Sequence, residues 1–114
     1  MVEDITPLRC FEALRADATA RLIDVRTEAE WAYVGVPDLT GLGRRTVLAA
    51  WQSFPTGRIN PDFVAQLEQD GVARDETLFF ICRSGARSLA AAEAARRAGF
   101  ARVFNVSEIG RAHV

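Results

Sequence analysis

Short apolar runs alternate with helical stretches along most of this chain. The runs cover residues 21–25, 46–51, 77–81 and 102–106, and each is five or six residues long, which is typical of buried strands. Helical stretches begin at Thr6, at the capping box Thr27–Glu30, at Asn60 and at Ser88. Strands that alternate with helices predict an α/β fold in which a parallel sheet is covered on both faces.

Composition narrows the class of protein. The chain has 114 residues, enough for one domain, with 49% hydrophobic residues, 25% charged residues and a net charge of −1. This balance predicts neither nucleic acid nor a membrane as partner. All the basic residues are arginine, a bias that suggests a GC-rich bacterial genome. The acidic N-terminus lacks a signal-peptide pattern, and a cytoplasmic location is therefore expected.

The strongest chemical signal is a cysteine at the end of the third apolar run. Cys82 follows Ile81, and a loop ending at Arg87 leads into Ser88, which we predict to be a helix N-cap. Loop amides, the helix dipole and the charges of Arg83 and Arg87 would all favour a thiolate. We therefore predict that Cys82 is a nucleophile; the alternative is an inert, packed cysteine.

The spacing of this loop points to sulfur chemistry. Four residues separate Cys82 from Arg87, whereas cysteine phosphatases carry five, which opens the ring of amides enough for a phosphoryl group. The segments 82–88, 22–31 and 99–106 follow one another as in the rhodanese family of sulfurtransferases. The chain resembles that family from about Ile5 to Glu108, and we expect one domain over residues 1–108.

The resemblance implies a fold, a reaction and a set of site residues. The fold would be the rhodanese-like three-layer α/β fold, with a mostly parallel sheet of about five strands and helices on both faces. The activity would be that of a thiosulfate-type sulfurtransferase, which carries sulfur as a persulfide on Cys82 from a thiosulfate-like donor to a thiol, cyanide or a protein acceptor. Neither a metal nor an organic cofactor is implied. The residues implied to bind the substrate are Arg83, Ser84, Gly85, Ala86, Arg87 and Ser88, and those implied to support the site are Asp24 and Arg26.

Two other functions stay open at this point. A non-catalytic sulfur-carrier or regulatory module could use the same loop. A phosphatase or arsenate reductase on the same fold is disfavoured by the loop length. The second cysteine, Cys10, lies in a predicted helix and is interpreted as a packed residue, with a resolving thiol as the alternative.

Two segments depart from the family pattern. Residues 38–59 form a glycine-punctuated insertion, in which Trp51 and Phe54 are interpreted either as walls of the pocket or as surface packing. Residues 109–114 replace the expected glycine-rich turn and terminal helix, and they match one reading frame of a common sequencing adaptor. We interpret them as an atypical, artefactual tail on a truncated C-terminus, in which His113 has no catalytic role.

Overall fold

The computed structural model describes residues 2–37, 39–43, 45–53 and 55–107. Within these residues, five strands form one sheet in the order β1-β5-β4-β2-β3, and every neighbouring pair is parallel. The predicted α/β fold with a five-stranded parallel sheet is confirmed. The elements in chain order are β1 (Glu3–Ile5), α1 (Pro7–Ala16), β2 (Arg21–Asp24), α2 (Glu28–Val34), a 3-10 turn (Thr40–Leu42), β3 (Val47–Leu48), α3 (Phe63–Gln69), β4 (Thr77–Ile81), α4 (Ala86–Arg97) and β5 (Arg102–Val106).

The central strand β4 divides the core between the two faces of the sheet. Leu78 and Phe80 pack with residues of α3 and α4, whereas Phe79 and Ile81 pack with residues of α1. This alternation follows from the two-residue period of side chains along a strand. Cys82, one residue beyond β4, continues the series toward the α3 and α4 face.

Two strands differ from the sequence prediction. The sequence did not predict β1, because Glu3 and Asp4 are charged and exposed; the strand forms by pairing with β5. β3 is shorter than the predicted 46–51, although the chain beyond it stays hydrogen-bonded to the end of β2. Ala49 N–H donates to the Asp24 carbonyl at 3.1 Å, and Trp51 N–H donates to the Val25 carbonyl at 3.0 Å.

The predicted start of α4 at Ser88 is wrong. The helix begins at Ala86, and its N-cap is Gly85, whose left-handed φ of 92° turns the chain sharply after Cys82. The loop between β4 and α4 is therefore shorter than predicted, and Arg87 and Ser88 lie in the first helical turn. Ser88 does not cap the helix because its N–H and hydroxyl contact the sulfur of Cys82 instead.

Several predictions concern positions outside the described residues. These are the pocket role of Phe54, the domain end at Glu108, and the tail 109–114 with His113. Across the part of the chain that the structure describes, no helix has the length and apolar character needed to cross a membrane.

Candidate active site

The carboxyl ends of three adjacent strands meet around Cys82. Cys82 follows β4, Asp24 is the last residue of β2, and Asn105 lies one residue before the end of β5. Asp24 is in register with Ile81, and Asn105 is in register with Phe80. This edge is where ligands bind in parallel α/β sheets, because the strands end there and the loops that follow them converge.

The sulfur of Cys82 accepts hydrogen bonds from the backbone that follows it. The N–H of Gly85 lies 3.1 Å from Sγ, and the N–H of Ser88 lies 3.3 Å from it. Gly85 can point its N–H at the sulfur because glycine adopts a positive φ without a steric penalty. The Ser88 hydroxyl oxygen lies 3.3 Å from the same sulfur. The loop and the first turn of α4 thus surround Sγ with polar groups.

Two opposing effects set the pKa of the Cys82 thiol. Burial raises the pKa, because the thiolate loses its hydration. Hydrogen bonds from the Ser88 hydroxyl and from the amides of Ser88, Gly85 and Ser84 lower it by more, so the net pKa lies below the ordinary value of a thiol. The positive end of the α4 dipole acts in the same direction. Cys82 is therefore more readily ionised than a free cysteine, as a nucleophile requires.

A chain of hydrogen-bonded side chains connects the buried Ser88 to the N-terminal strand β1. Asn105 Nδ2 donates to Asp4 Oδ1 at 3.0 Å and to the Gly85 carbonyl at 3.2 Å. The Asp4 carboxylate and the Gly85 carbonyl can only accept hydrogen bonds, so the NH2 group of Asn105 faces them. The Oδ1 of Asn105 therefore faces Ser88, whose hydroxyl donates to it at 2.5 Å. Because a hydroxyl has only one proton, Ser88 must turn that proton away from Asn105 to donate to a Cys82 thiolate.

Arg87 forms a bidentate ion pair with Glu30 of α2. Nη1 donates to Oε1 at 2.7 Å, and Nη2 donates to Oε2 at 2.8 Å. Oε1 also accepts the N–H of Thr27, which completes the capping box predicted for α2. The hydrogen bonds from Arg87, together with the smaller effect of Thr27, outweigh burial and lower the pKa of Glu30 to about 2. The guanidinium of Arg87, which was predicted to bind the sulfur donor, is thus already paired with the Glu30 carboxylate.

Asp24 and Arg26, which the family resemblance implied to support the site, form an ion pair. The Asp24 side chain is fully buried, and Arg26 donates to it from Nε at 3.0 Å and from Nη2 at 2.7 Å. The hydrogen bond to Asp24 raises the pKa of Arg26 above its usual value. Nη2 also donates to the Gly35 carbonyl at 2.7 Å. The pair therefore fastens the end of β2 to the segment that follows α2.

An open cleft of about 600 Å³ reaches Cys82. We call it the Cys82 cleft. Cys82 itself has no surface exposed to water, while Arg83 and Ser84 beside it are exposed. The sulfur therefore lies beneath the surface of the cleft, beside these exposed residues. The cleft is lined by Pro7, Arg26, Glu30, Val34, Gly35, Val36, Pro37, Ile81, Cys82 and Arg83.

The insertion borders a second cleft, on the other side of the Arg87–Glu30 pair. This cleft has a volume of about 410 Å³, and residues 52, 53, 55 and 57 form one of its walls. Trp51 does not line either cleft; its ring packs edge-on against Phe63 with the centroids 5.3 Å apart. Of the two interpretations offered for Trp51, the structure supports packing.

Cys10 and Cys82 are both buried, but the pKa values of their thiols are shifted in opposite directions. Cys10 is buried between α1 and the sheet, and burial raises the pKa of its thiol to about 12. Both cysteines are free thiols. These properties support the interpretation of Cys10 as a packed residue. The described residues also contain no cluster of three or more His, Cys, Asp or Glu side chains that could hold a metal ion.

Sequence reasoning did not identify Glu30, Asn105 and Asp4 as parts of the site. Glu30 was seen only as a helix cap, and Asp4 only as a charged terminal residue. Asn105 carried a usable signal, because an amide side chain inside an apolar strand must find buried partners. Its partners, the side chains of Ser88 and Asp4 and the Gly85 carbonyl, lie 17, 101 and 20 residues away along the chain.

Comparison with known proteins gives the family. The model of the rhodanese-like domain matches residues 8–108, and the chain therefore belongs to this family. Among similar curated proteins, RC0915 of Rickettsia conorii is 31% identical over 110 residues, covering 94% of this chain and 82% of the relative. RP600 of Rickettsia prowazekii is 30% identical over 108 residues, covering 95% and 83%. Both of these relatives are described as uncharacterized.

Solved structures share the fold. The crystal structure of Rv0390 from M. tuberculosis is 46% identical, with a TM-score of 0.84 over 93% of this chain and 77% of that one. The polysulfide-sulfur transferase homodimer of Wolinella succinogenes is 22% identical, with a TM-score of 0.68 over 96% of this chain and 69% of that one. At 22% identity the second likeness concerns the fold alone.

Proposed function

We propose that this protein is a sulfurtransferase that carries sulfane sulfur as a persulfide on Cys82. The observation that carries the proposal is the set of hydrogen bonds on Sγ, from the amides of Gly85 and Ser88 at the N-terminus of α4. These bonds lower the pKa of a buried thiol and hold it as a nucleophile. Membership of the rhodanese-like family agrees with this function.

In the first half-reaction the Cys82 thiolate attacks the outer sulfur of thiosulfate. A new S–S bond forms to Cys82, the S–S bond of the donor breaks, and sulfite leaves with the electron pair of that bond. The first four N–H groups of a helix lack partners within it. In α4 the Leu89 N–H makes the first helical bond, to the Gly85 carbonyl. Of the N–H groups before it, that of Ser88 bonds to Sγ, whereas those of Ala86 and Arg87 show no acceptor among the described residues. These two amides are available to stabilise the terminal sulfur of the persulfide.

Arginine side chains would guide the dianionic donor. Arg83 is exposed and lines the Cys82 cleft, whereas Arg87, held by Glu30, lines the second cleft. Asp24 and Arg26 would act as supporting residues that hold the edge of the site. The reaction needs Cys82 as a free thiol, and we therefore place it in a reducing compartment such as the cytoplasm.

The spacing between Cys82 and Arg87 favours sulfur over phosphate. The two residues are separated by four others, and the amides of Gly85 and Ser88 already lie within hydrogen-bond distance of a single sulfur atom. A phosphoryl group would need a wider ring of amides. We therefore expect no turnover of an aryl phosphate or of arsenate.

Mass spectrometry after treatment with thiosulfate tests the proposal. We expect one added sulfur atom on wild-type protein, removed by cyanide with release of thiocyanate. Cys10→Ser should behave as wild type, and Cys82→Ser should gain no sulfur. Sulfur found on Cys10, or none on wild type, would contradict the proposal. Loading and release of sulfur that is slow compared with a catalytic cycle would favour a sulfur-carrier module over an enzyme.

A further inference from the structure

The Cys82 cleft is much larger than the donor. Thiosulfate has five heavy atoms and occupies roughly the space of three or four water molecules, or about 100 Å³. The cleft offers about 600 Å³, a size typical of sites for ligands with many more atoms. Thiosulfate and cyanide would leave most of this space unfilled.

The walls of the cleft are largely apolar. Pro7, Val34, Val36, Pro37 and Ile81 line it, and the side chains of Val34 and Val36 are exposed, at 75% and 45% respectively. Contact with an apolar molecule would remove these two side chains from water and would therefore stabilise the complex.

Among the described residues, the cleft holds one charged side chain without a partner. Arg26 is paired with Asp24, and Glu30 is paired with Arg87. Arg83 is exposed and forms neither a hydrogen bond nor an ion pair with the described part of the chain. A molecule that fills this cleft is therefore matched best when it is apolar along its length and carries one negative charge.

We propose that the physiological sulfur acceptor is an organic thiol with an apolar body and an anionic tail, bound in the Cys82 cleft. This inference rests on the proposed function. The acceptor thiolate attacks the outer sulfur of the Cys82 persulfide, and a new S–S bond forms. The S–S bond to Cys82 breaks, and Cys82 leaves as a thiolate. The acceptor becomes a persulfide, and no further oxidant or reductant is needed.

Single-turnover transfer to ω-mercaptocarboxylates of increasing length tests the assignment. The protein is first loaded with sulfur from thiosulfate, and each second-order rate constant is divided by the value for cyanide, which has no apolar body. Full burial of a methylene corresponds to about fourfold in affinity, and an open cleft should give about two- to fourfold per methylene until the cleft is filled. A thiol of equal length that ends in a hydroxyl should react about two- to fivefold more slowly, because an ion pair to an exposed arginine contributes little.

Variants of exposed residues test whether the cleft itself causes the dependence of the transfer rate on thiol length and on the carboxylate. Val34→Ser combined with Val36→Ser should flatten the dependence on chain length. Arg83→Gln should remove the preference for the carboxylate over the hydroxyl. Ile59→Ser, which replaces another exposed apolar side chain outside the cleft, should leave both dependences as in wild type.

The outcomes distinguish this inference from the proposed function. Failure to load sulfur on Cys82 would overturn the proposed function. Normal loading and transfer to cyanide, with rates that do not change along the thiol series, would overturn the acceptor assignment alone. Faster transfer to a protein thiol, such as reduced serum albumin, than to every member of the series would also overturn it. If loading by alkanethiosulfonates depends on their chain length while transfer to the thiols does not, the apolar cleft binds the sulfur donor, and the acceptor assignment is overturned.

Discussion

Replacing Ser88 by Ala should raise the pKa of Cys82 and slow its reaction with thiosulfate at neutral pH. The Ser88 hydroxyl lies 3.3 Å from the Cys82 sulfur and can donate to the thiolate. In the thiol state its proton is held by Asn105 Oδ1. The substitution removes this donor while the Ser88 backbone N–H, which also bonds to the sulfur, is retained.

The magnitude follows from the two competing hydrogen bonds. A hydrogen bond to a charged group contributes about 1.5–3 kcal/mol, and the neutral bond to Asn105 that must be given up costs about 1 kcal/mol. The difference is about 0.5–2 kcal/mol, or about 0.4–1.5 pKa units. We therefore expect a rise of about one unit, and a roughly tenfold lower thiolate fraction at a pH below both values.

Ultraviolet absorbance of the thiolate, followed against pH, measures the shift directly. The rate of loading by thiosulfate should fall about tenfold at neutral pH and return toward the wild-type rate at alkaline pH, because only ionisation has changed. Ser53→Ala, at an exposed serine that does not line the Cys82 cleft, is the matched control. A pKa unchanged in Ser88→Ala would refute the reasoning, since the hydroxyl proton would then stay on Asn105 in both states. Slow loading that does not recover with pH would show a structural defect instead.

Three further predictions concern stability. Glu30→Gln should cost about 1–3 kcal/mol at neutral pH by urea unfolding, since a pKa lowered from 4.5 to about 2 corresponds to about 3 kcal/mol before solvent screening of this partly exposed pair. This cost should fade as pH falls from about 4.5 toward 2, and a pH-independent cost would argue against the ion pair. Gly85→Ala should cost about 1–2 kcal/mol of unfolding free energy, because alanine is strained at a positive φ. A steric clash does not contribute, since the added Cβ would meet no atom closer than 3.7 Å. Gly41→Ala, at a glycine without a positive φ, is the control, and equal losses in the two variants would contradict the explanation. Burial raises the pKa of the Cys10 thiol to about 12, so the thiol stabilises the fold below about pH 9 and loses this effect as pH rises toward 12. The unfolding free energies of wild type and Cys10→Ala should therefore converge between about pH 9 and 12. Parallel curves over that range would show that Cys10 does not titrate there.

The positions of strands and helices could be predicted because their signals are local. The strands at 21–25, 77–81 and 102–106 stood out as apolar runs, and the capping box at Thr27 predicted the start of α2 correctly. β1 could not be predicted in this way. Its residues carry no apolar pattern, and it exists because the edge of β5 offers hydrogen-bond partners.

The sequence by itself determined the family, the parallel sheet and the identity of the candidate nucleophile, because each depends on local residue patterns and on their order along the chain. The tertiary structure decided which groups surround Cys82. Arg87 is paired with Glu30, 57 residues away, and Asn105 is held by Asp4, 101 residues away. Such partners depend on how the strands are ordered in the sheet, which no local pattern records. The apolar Cys82 cleft arises in the same way, because α1, α2 and the loop after β4 meet only in the folded chain.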